Sequence, residues 1–424
     1  MNTKAVRLYG KKDLRLETVE LPPIGDGEIL AHIISDSICM SSYKASAQGS
    51  DHKRIPDNVS ENPIMIGHEF CGEIVEVGAR WKDQFKPGDK FSIQPALNDP
   101  DGPVGILSAP GYSYPYVGGN AQYIVIPESV MERKCLLPYA GDAFYLGSLA
   151  EPMSCVVGAF HANYHTTPGS YEHKMGIIEG GATAILAGVG PMGLGAIDYA
   201  IHGDRKPGLL VVTDIDNDRL ARAASIFTVE DAAKHGVKLM YINTSEPGND
   251  TDYLKSLTPD ADGFNDVFVF APVRPLIEQA DRILGHDGCL NFFAGPTDPT
   301  FKAEFNFYNV HYAATHVVGT SGGNTDDMIE SLQLMEKGRV DPSTMITHIG
   351  GLDAVIDTTL HLPQIPGGKK LIYTNISLPL IPLTDLKSQS DPMLNALGEI
   401  VEKANGLWSP EAEKYLLEHA KPMK

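Results

Sequence analysis

The stretch that most constrains the fold is residues 184–195, where an apolar segment is followed by regularly spaced glycines. Residues 184–187 offer no polar face, which is typical of a central parallel strand covered on both sides. Gly188, Gly190 and Gly193 then form G-x-G-x-x-G. We predict that the first glycine allows a tight turn, the second lets backbone approach a pyrophosphate, and the third lets helix pack close to strand. The helix N-terminus would hold the phosphates through its unpaired N–H groups and positive dipole end.

The surroundings of this motif agree with a dinucleotide site. A second apolar segment, 209–213, ends in Asp214, which lies 21 positions after Gly193. A carboxylate there can accept hydrogen bonds from the ribose hydroxyls and would repel a 2′-phosphate. We therefore predict NAD(H) in preference to NADP(H), with Pro191 and Met192 of the turn also beside the cofactor. A glycine-rich loop of another α/β protein is the alternative.

Charge and cysteine content exclude several classes of protein. The chain has 424 residues and a formal net charge of −20, which argues against nucleic acid or an anionic membrane as the main partner. The 5 cysteines form no C-x-x-C pair, so a disulfide framework is not expected. The first residues lack the apolar core of a signal peptide, and no run of about 18 apolar residues predicts a membrane span. We expect a cytoplasmic protein.

A second group of residues has the chemistry of a metal site. The group comes from three separate places in the sequence: Cys39, the pair His68 and Glu69, and Glu151. Each place lies at the edge of a predicted strand or helix. Thiolate, imidazole and carboxylate suit a zinc ion that keeps one position open for water or substrate. Taken singly, each has an ordinary structural explanation, such as a small buried cysteine or a first-turn acid near a helix dipole.

Several motifs together resemble the zinc-dependent medium-chain dehydrogenase/reductase superfamily, alongside sorbitol and threonine dehydrogenases. The resemblance covers roughly residues 1–375 and rests on these stretches, in order: Gly67-His68-Glu69-Phe-Cys-Gly72-Glu73, Val77-Gly78, Lys86-Pro87-Gly88-Asp89, Glu151-Pro152 and the glycine motif. It implies an α/β architecture, with a GroES-like, mostly-β catalytic domain at 1–160 and a Rossmann domain with a doubly wound parallel sheet at 161–320. Residues 321–424 would return to the catalytic domain and add a helical extension. Zinc and nicotinamide would lie in a cleft between the domains.

The resemblance also implies roles for single residues. Cys39 and His68 match the family's zinc ligands, and Glu69 and Glu151 match its carboxylates, although the sequence leaves open which of the two binds zinc. Ser41 matches the residue that hydrogen-bonds the substrate oxygen. Arg219 matches a basic residue beside the adenosine ribose. A homodimer or homotetramer is also implied.

Three departures from the family pattern affect the prediction. The usual C-G-x-D is Cys39-Met-Ser41-Ser42 here. No cysteine lies between Cys71 and Cys135, so the four-cysteine structural zinc lobe is absent and we expect one catalytic zinc and no structural zinc. The chain also carries an insertion at 166–182 and extends past 375.

These features most resemble the L-sorbose 1-phosphate reductase branch, which implies interconversion of L-sorbose 1-phosphate and D-glucitol 6-phosphate. Zinc would polarise a ketone, NADH would deliver hydride, and Ser41 would pass a proton to the oxygen. A substrate phosphate would need a basic subsite, for which Lys44, His52, Lys53 and Arg54 are candidates. Ordinary solvated loop charges explain these four residues equally well.

Three other functions remain open at this point. An unphosphorylated polyol or secondary-alcohol dehydrogenase would use the same fold. A zinc-free quinone reductase would not need Cys39, His68 and Glu151 together. A non-catalytic NAD-binding relative would not need an open metal site.

Overall fold

The computed structural model describes all residues from 1 to 424, and they form two units. Unit 1 comprises Met1–Glu151 and Ile346–Lys424, and unit 2 comprises Pro152–Met345. These limits differ from the sequence-based limits at 160/161 and 320/321. The difference arises from two helices. Unit 2 includes most of the helix at 150–162, before the dinucleotide sheet, and all of the helix at 325–336, after that sheet. No helix of the chain is long and apolar enough to cross a membrane.

The first part of unit 1 is mostly β. Its strands are β1 (Asn2–Gly10), β2 (Asp13–Glu20), β3 (Ile29–Ile38), β4 (Ile64–Met65), β5 (Phe70–Val77), β6 (Lys90–Ile93), β7 (Pro103–Ile106), β8 (Tyr123–Ile126) and β9 (Leu136–Pro138). Its helices are α1 (Met40–Gln48), α2 (Glu128–Glu132), α3 (Phe144–Ser148) and α4 (Ala150–Ala162), the last of which continues into unit 2. The predicted hairpin at the N-terminus is β1 paired antiparallel with β2.

Unit 2 alternates strand and helix. Its strands are β10 (Tyr164–Thr166), β11 (His173–Met175), β12 (Ala182–Leu186), β13 (Leu209–Asp214), β14 (Lys238–Asn243), β15 (Phe264–Val269), β16 (Leu284–Phe292) and β17 (His316–Gly319). Its helices are α5 (Pro191–His202), α6 (Asn217–Ile226), α7 (Val229–Lys234), α8 (Thr251–Ser256), α9 (Arg274–Ile283), α10 (Phe307–Tyr312) and α11 (Thr325–Glu336).

Six of these strands form one parallel sheet in the order β14-β13-β12-β15-β16-β17. Every residue of β12 is buried, as its continuous apolar character predicted. The strand order reverses direction at β12, and ligands of doubly wound sheets bind at such a point, beyond the carboxyl ends of the strands. The glycine motif follows β12 directly. The predicted α/β fold with a Rossmann-type sheet is therefore confirmed.

The chain then returns to unit 1. The returning elements are β18 (Ile346–Gly351), α12 (Val355–His361), β19 (Lys369–Tyr373), β20 (Ile381–Pro382), α13 (Pro392–Lys403) and α14 (Pro410–His419). Strand β19 pairs with β3, so the return completes an eight-stranded sheet whose main path is β20-β18-β19-β3-β5-β6-β9. The first residues of β19 and the end of β3 thereby meet near the predicted metal ligands.

The C-terminal extension is part of the unit 1 core. Trp408 is 1% exposed, and its indole N–H donates a hydrogen bond to the Tyr373 hydroxyl at 2.7 Å. The Glu413 carboxylate accepts hydrogen bonds from that hydroxyl and from the backbone N–H groups of Phe144 and Tyr145. Helix α14 begins at Pro410, where the Ser409 hydroxyl accepts a hydrogen bond from the Ala412 N–H and the proline suits the first helical position. The C-terminal extension therefore holds the end of β19 through hydrogen bonds to Tyr373.

Candidate metal centre and cofactor turn

Three of the four predicted metal ligands come together in unit 1. The ligand atoms of Cys39, His68 and Glu69 all lie within 4.8 Å of one another. Cys39 directly precedes α1 at the end of β3, and the two other residues precede β5, which pairs with β3. Glu151 lies in the first turn of α4, outside that group, but its charge acts on the Cys39 thiol.

The donor atoms have separations that fit zinc. Cys39 Sγ lies 3.4 Å from His68 Nε2, and Glu69 Oε1 lies 4.0 Å from the same nitrogen. Tetrahedral zinc with ordinary sulfur and nitrogen bond lengths holds those two ligand atoms about 3.5 Å apart. Burial and the charge of Glu69 raise the pKa of the Cys39 thiol to about 12. A thiolate at this position therefore requires a nearby cation, and the residues present fit a zinc ion.

Glu69 is held by a lysine that the sequence analysis did not identify. Lys369 Nζ donates to both carboxylate oxygens, at 2.6 and 2.7 Å, and the Ser37 hydroxyl donates to Oε2 at 2.5 Å. Burial raises the pKa of the Glu69 carboxyl, but the charges of Lys369 and His68 together with the hydrogen bonds from Lys369 and Ser37 hold that pKa below its usual range. Glu69 is therefore ionised and oriented before any ligand binds.

Two further side chains contact His68. The Tyr112 hydroxyl lies 3.1 Å from Nε2, on the edge of the ring that faces Cys39. Ser42 Oγ lies 3.5 Å from Nδ1. Ser42 occupies the position where the family pattern has aspartate, so the residue behind the imidazole is neutral in this chain.

The remaining residues of the predicted substrate region differ in exposure. Ser41 is exposed and Lys44 is half-buried, and both lie in α1. Their catalytic roles stay predictions. His52 and Arg54 flank Tyr112: the His52 ring stacks at 6.0 Å between centroids, and the Arg54 guanidinium carbon lies 5.7 Å from the Tyr112 ring centre.

Charges of both signs act on Tyr112, with Arg54 on one side and Glu151 and Glu69 on the other, whereas the charges that act on His52 are positive. Burial and the neighbouring charges of Arg54, Lys53 and Lys44 lower the pKa of His52 to about 4. Arg54 is anchored, because Nη1 donates to the Leu107 carbonyl at 2.9 Å. A fixed guanidinium with two lysines nearby is a suitable receptor for an anion.

The cofactor turn of unit 2 has the predicted form, with one correction. The positive φ of the turn belongs to Ala187, at 53°, and not to Gly188. Gly188 is required for a different reason, since a Cβ there would lie 2.7–2.9 Å from Ile185 and Val212. A Cβ on Gly193 would lie 2.2 Å from the Gly188 carbonyl oxygen, which confirms the predicted close approach of α5 to the strand.

The predicted ribose-binding residues lie beside this turn. Asp214 ends β13 and is 6% exposed, and its Oδ1 accepts hydrogen bonds from the N–H groups of Ile215 and Asp216. An Arg219 guanidinium nitrogen would lie 3.5 Å from a Cβ on Gly190. Pro191 and Met192 form the first turn of α5, which therefore begins two residues before the predicted start at Gly193. Their roles in binding NAD(H) stay predictions.

Two glycine substitutions should separate folding from cofactor binding. Gly193→Ala places a methyl group against backbone, so we expect unit 2 to lose about 1–3 kcal/mol of stability. Gly190→Ala meets only a flexible arginine at 3.5 Å. We expect Gly190→Ala to fold normally but to bind NADH at least about tenfold more weakly, because the methyl group obstructs the pyrophosphate. Thermal unfolding and NADH fluorescence titration measure the two effects. Equal NADH affinity in Gly190→Ala and the unmodified protein would contradict this assignment of the turn.

Comparisons with known proteins agree with this architecture. The model of the alcohol dehydrogenase GroES-like domain matches residues 25–135. The chain is 54% identical to mannitol-1-phosphate 5-dehydrogenase of Aliivibrio fischeri, over 98% of this chain and 97% of that protein. It is 52% identical to L-sorbose 1-phosphate reductase of Klebsiella pneumoniae, over 99% and 98% respectively. The crystal structure of 2R,3R-butanediol dehydrogenase from Bacillus subtilis has the same fold, with a TM-score of 0.67 and 21% identity, covering 88% of this chain and 100% of that one.

Proposed function

The chain belongs to the zinc-dependent medium-chain dehydrogenase family, and from that premise we propose that it interconverts a phosphorylated ketohexose and the corresponding hexitol phosphate with NAD(H). L-sorbose 1-phosphate and D-glucitol 6-phosphate are the proposed pair. The observation that carries the phosphate part is the group of cations Arg54, Lys53 and Lys44, whose charges act on His52. Arg54 lies over the ring of Tyr112, whose hydroxyl contacts His68. The two relatives of 52% and 54% identity are both named for sugar or polyol phosphates, which supports the same substrate class.

The residues divide the work as follows. Cys39, His68 and Glu69 or Glu151 would hold zinc, which when bound supplies Lewis-acid polarisation of the substrate oxygen. Lys369 keeps Glu69 ionised and fixed in orientation. Ser41 would carry a proton to or from the substrate oxygen. The other contributions of the protein would be to orient the substrate and cofactor and to provide the electrostatic environment, because the nicotinamide carries the hydride.

The arrangement also favours one cofactor. Asp214 at the end of β13 would accept the ribose hydroxyls of NAD(H), and its carboxylate would repel the 2′-phosphate of NADP(H). Arg219 lies beside Gly190, closer to the phosphate turn than the sequence analysis placed it. Its charge would therefore act on the pyrophosphate, which both cofactors share.

The test is a comparison of substrates that differ only in the phosphate. We expect NADH oxidation with L-sorbose 1-phosphate and little with L-sorbose, and NADPH to be the poorer donor. Mannitol 1-phosphate with NAD+ tests the other named chemistry in the oxidative direction. Equal kcat/KM for the phosphorylated and free ketose would refute the phosphate assignment and leave an unphosphorylated polyol dehydrogenase.

Arg54 provides the corresponding variant. Arg54→Met removes a charge-assisted hydrogen bond of about 1.5–3 kcal/mol, so kcat/KM for the phosphorylated ketose should fall roughly 10- to 100-fold. Activity on L-sorbose should change little. Lys82→Met is the matched control, because Lys82 is an exposed lysine of unit 1 that does not belong to the cations acting on His52. An equal fall of kcat/KM in both variants would indicate that the overall positive charge attracts the phosphate and that Arg54 does not form a specific subsite.

A further inference from the structure

A second cluster of metal-ligating side chains lies in unit 2, outside both the predicted zinc centre and the cofactor turn. It consists of His202 at the end of α5, Asp231 in α7 and His235 directly after α7. Their ligand atoms all lie within 4.8 Å of one another. The sequence analysis did not find it, because the three residues share no motif, and β13 and α6 separate His202 from the other two in sequence.

The orientation of His202 is fixed from behind. Its Nδ1 lies 2.7 Å from Asp198 Oδ1, and the Asp198 side chain is only 3% exposed. The other Asp198 oxygen accepts the Asp341 N–H at 2.8 Å. A carboxylate only accepts hydrogen bonds, so Nδ1 of His202 is the donor and Nε2 is the ring nitrogen that can face a metal ion. Carboxylate–histidine pairs of this kind are typical behind metal-bound imidazoles.

The second imidazole faces the first. The rings of His202 and His235 lie 4.6 Å apart between centroids, at 86°. A neutral imidazole has a lone pair to offer a metal, whereas two imidazolium ions at this distance would repel each other.

We propose that His202, Asp231 and His235 bind a divalent transition-metal ion, with Zn²⁺ as the best fit. Two imidazoles and one carboxylate are a common zinc ligand set that leaves one position for water. The site would not suit Mg²⁺ or Ca²⁺, which prefer oxygen ligands. This ion would be additional to the single catalytic zinc expected above.

One positive charge competes with the ion. Lys234 Nζ lies 3.3 Å from Asp231 Oδ1, and both side chains are largely exposed, at 72% and 49%. Exposed pairs of this kind are weak, so a metal ion can displace the ammonium. Lys206 also contributes positive charge at His235. Removing Lys234 should therefore tighten metal binding.

The proposed ion would link α7 to the C-terminal end of α5. Binding to the folded state alone raises stability by mass action. Zn²⁺ should therefore raise the unfolding temperature of the folded chain. A shift of a few degrees is expected once the ion saturates the site.

The experiment counts bound zinc after chelation and dialysis against Zn²⁺. The unmodified chain should bind two equivalents, and His235→Asn should bind one with unchanged turnover. His361→Asn is the matched control, because His361 is an exposed imidazole 2.9 Å from Asp357 with no second histidine beside it. The His361→Asn variant should retain two equivalents of zinc. Lys234→Ala should bind the second ion more tightly, and Asp198→Asn about 10- to 100-fold more weakly.

The outcomes separate this proposal from the proposed function. Cys39→Ser should lose one equivalent together with turnover and keep the second equivalent at His235. Binding of only one equivalent by the unmodified chain, or an unchanged second equivalent in His235→Asn, would overturn the proposal. Neither result would affect the catalytic assignment.

Discussion

Replacing Lys369 with methionine is expected to destabilise unit 1 by about 3–5 kcal/mol, because it leaves a buried carboxylate without its counter-charge. Glu69 is 2% exposed, and Lys369 supplies two of its short hydrogen bonds. The cost comes from the unpaired charge and not from the lost methylene contacts, which methionine preserves. The double variant Lys369→Met with Glu69→Gln should therefore recover part of the loss.

The two tryptophans make this measurement specific. Trp81 and Trp408 are the only tryptophans, and both belong to unit 1, so fluorescence during urea unfolding reports that unit. The titration is done with chelator present, so that metal binding does not mask the effect. Lys370→Met is the matched neighbour, because Lys370 donates to the carbonyls of Pro366 and Gly368 and has no carboxylate partner. Its cost should be smaller, about 1–3 kcal/mol. Equal stability of Lys369→Met and the unmodified protein would contradict the assigned ion pair.

Substituting Cys39 with serine is expected to lower kcat/KM at least about 1,000-fold, because bound metal supplies several kcal/mol of transition-state stabilisation. The hydroxyl is a poor ligand for zinc compared with a thiolate, so one equivalent of metal should be lost. Cys39 sits at the start of α1 without a side-chain role in capping it, so the fold should survive.

The control for this substitution is another cysteine of the same unit. Cys135→Ala removes a buried thiol outside the metal cluster, and its turnover and zinc content should match those of the unmodified protein. Undiminished turnover in Cys39→Ser with zinc still bound would show that the ion is held by other residues. A collapsed fold would be seen in the tryptophan fluorescence and would be distinguished from metal loss in that way.

The parts of the fold that periodicity and glycine spacing specify could be predicted from sequence. The buried strand β12, the helix that follows the glycine turn and the acid at Asp214 follow from local patterns, although α5 begins at Pro191 and not at Gly193 as predicted. The grouping of Cys39, His68 and Glu69 came from residue chemistry together with the family resemblance. These are features that a few neighbouring residues or a conserved order of motifs determine.

The missed features depend on contacts between distant segments. Lys369 reaches Glu69 across 300 positions of sequence, and nothing around Lys369 distinguishes it from its neighbour Lys370. Tyr112 lies in a turn-rich stretch without periodicity. The positive φ of the turn lies at Ala187, a residue that the glycine spacing does not single out. Sequence patterns record local preferences, whereas these contacts are decided when the sheets assemble.

The central claim is that turnover of a sugar phosphate depends on one zinc at the Cys39 centre. The most direct measurement is NADH oxidation with L-sorbose 1-phosphate by chelated protein, as zinc is returned in steps. We predict no turnover at the start and a rise that levels off at one active equivalent per chain, with a second equivalent binding without further gain. Full turnover by chelated protein without measurable zinc would contradict the account.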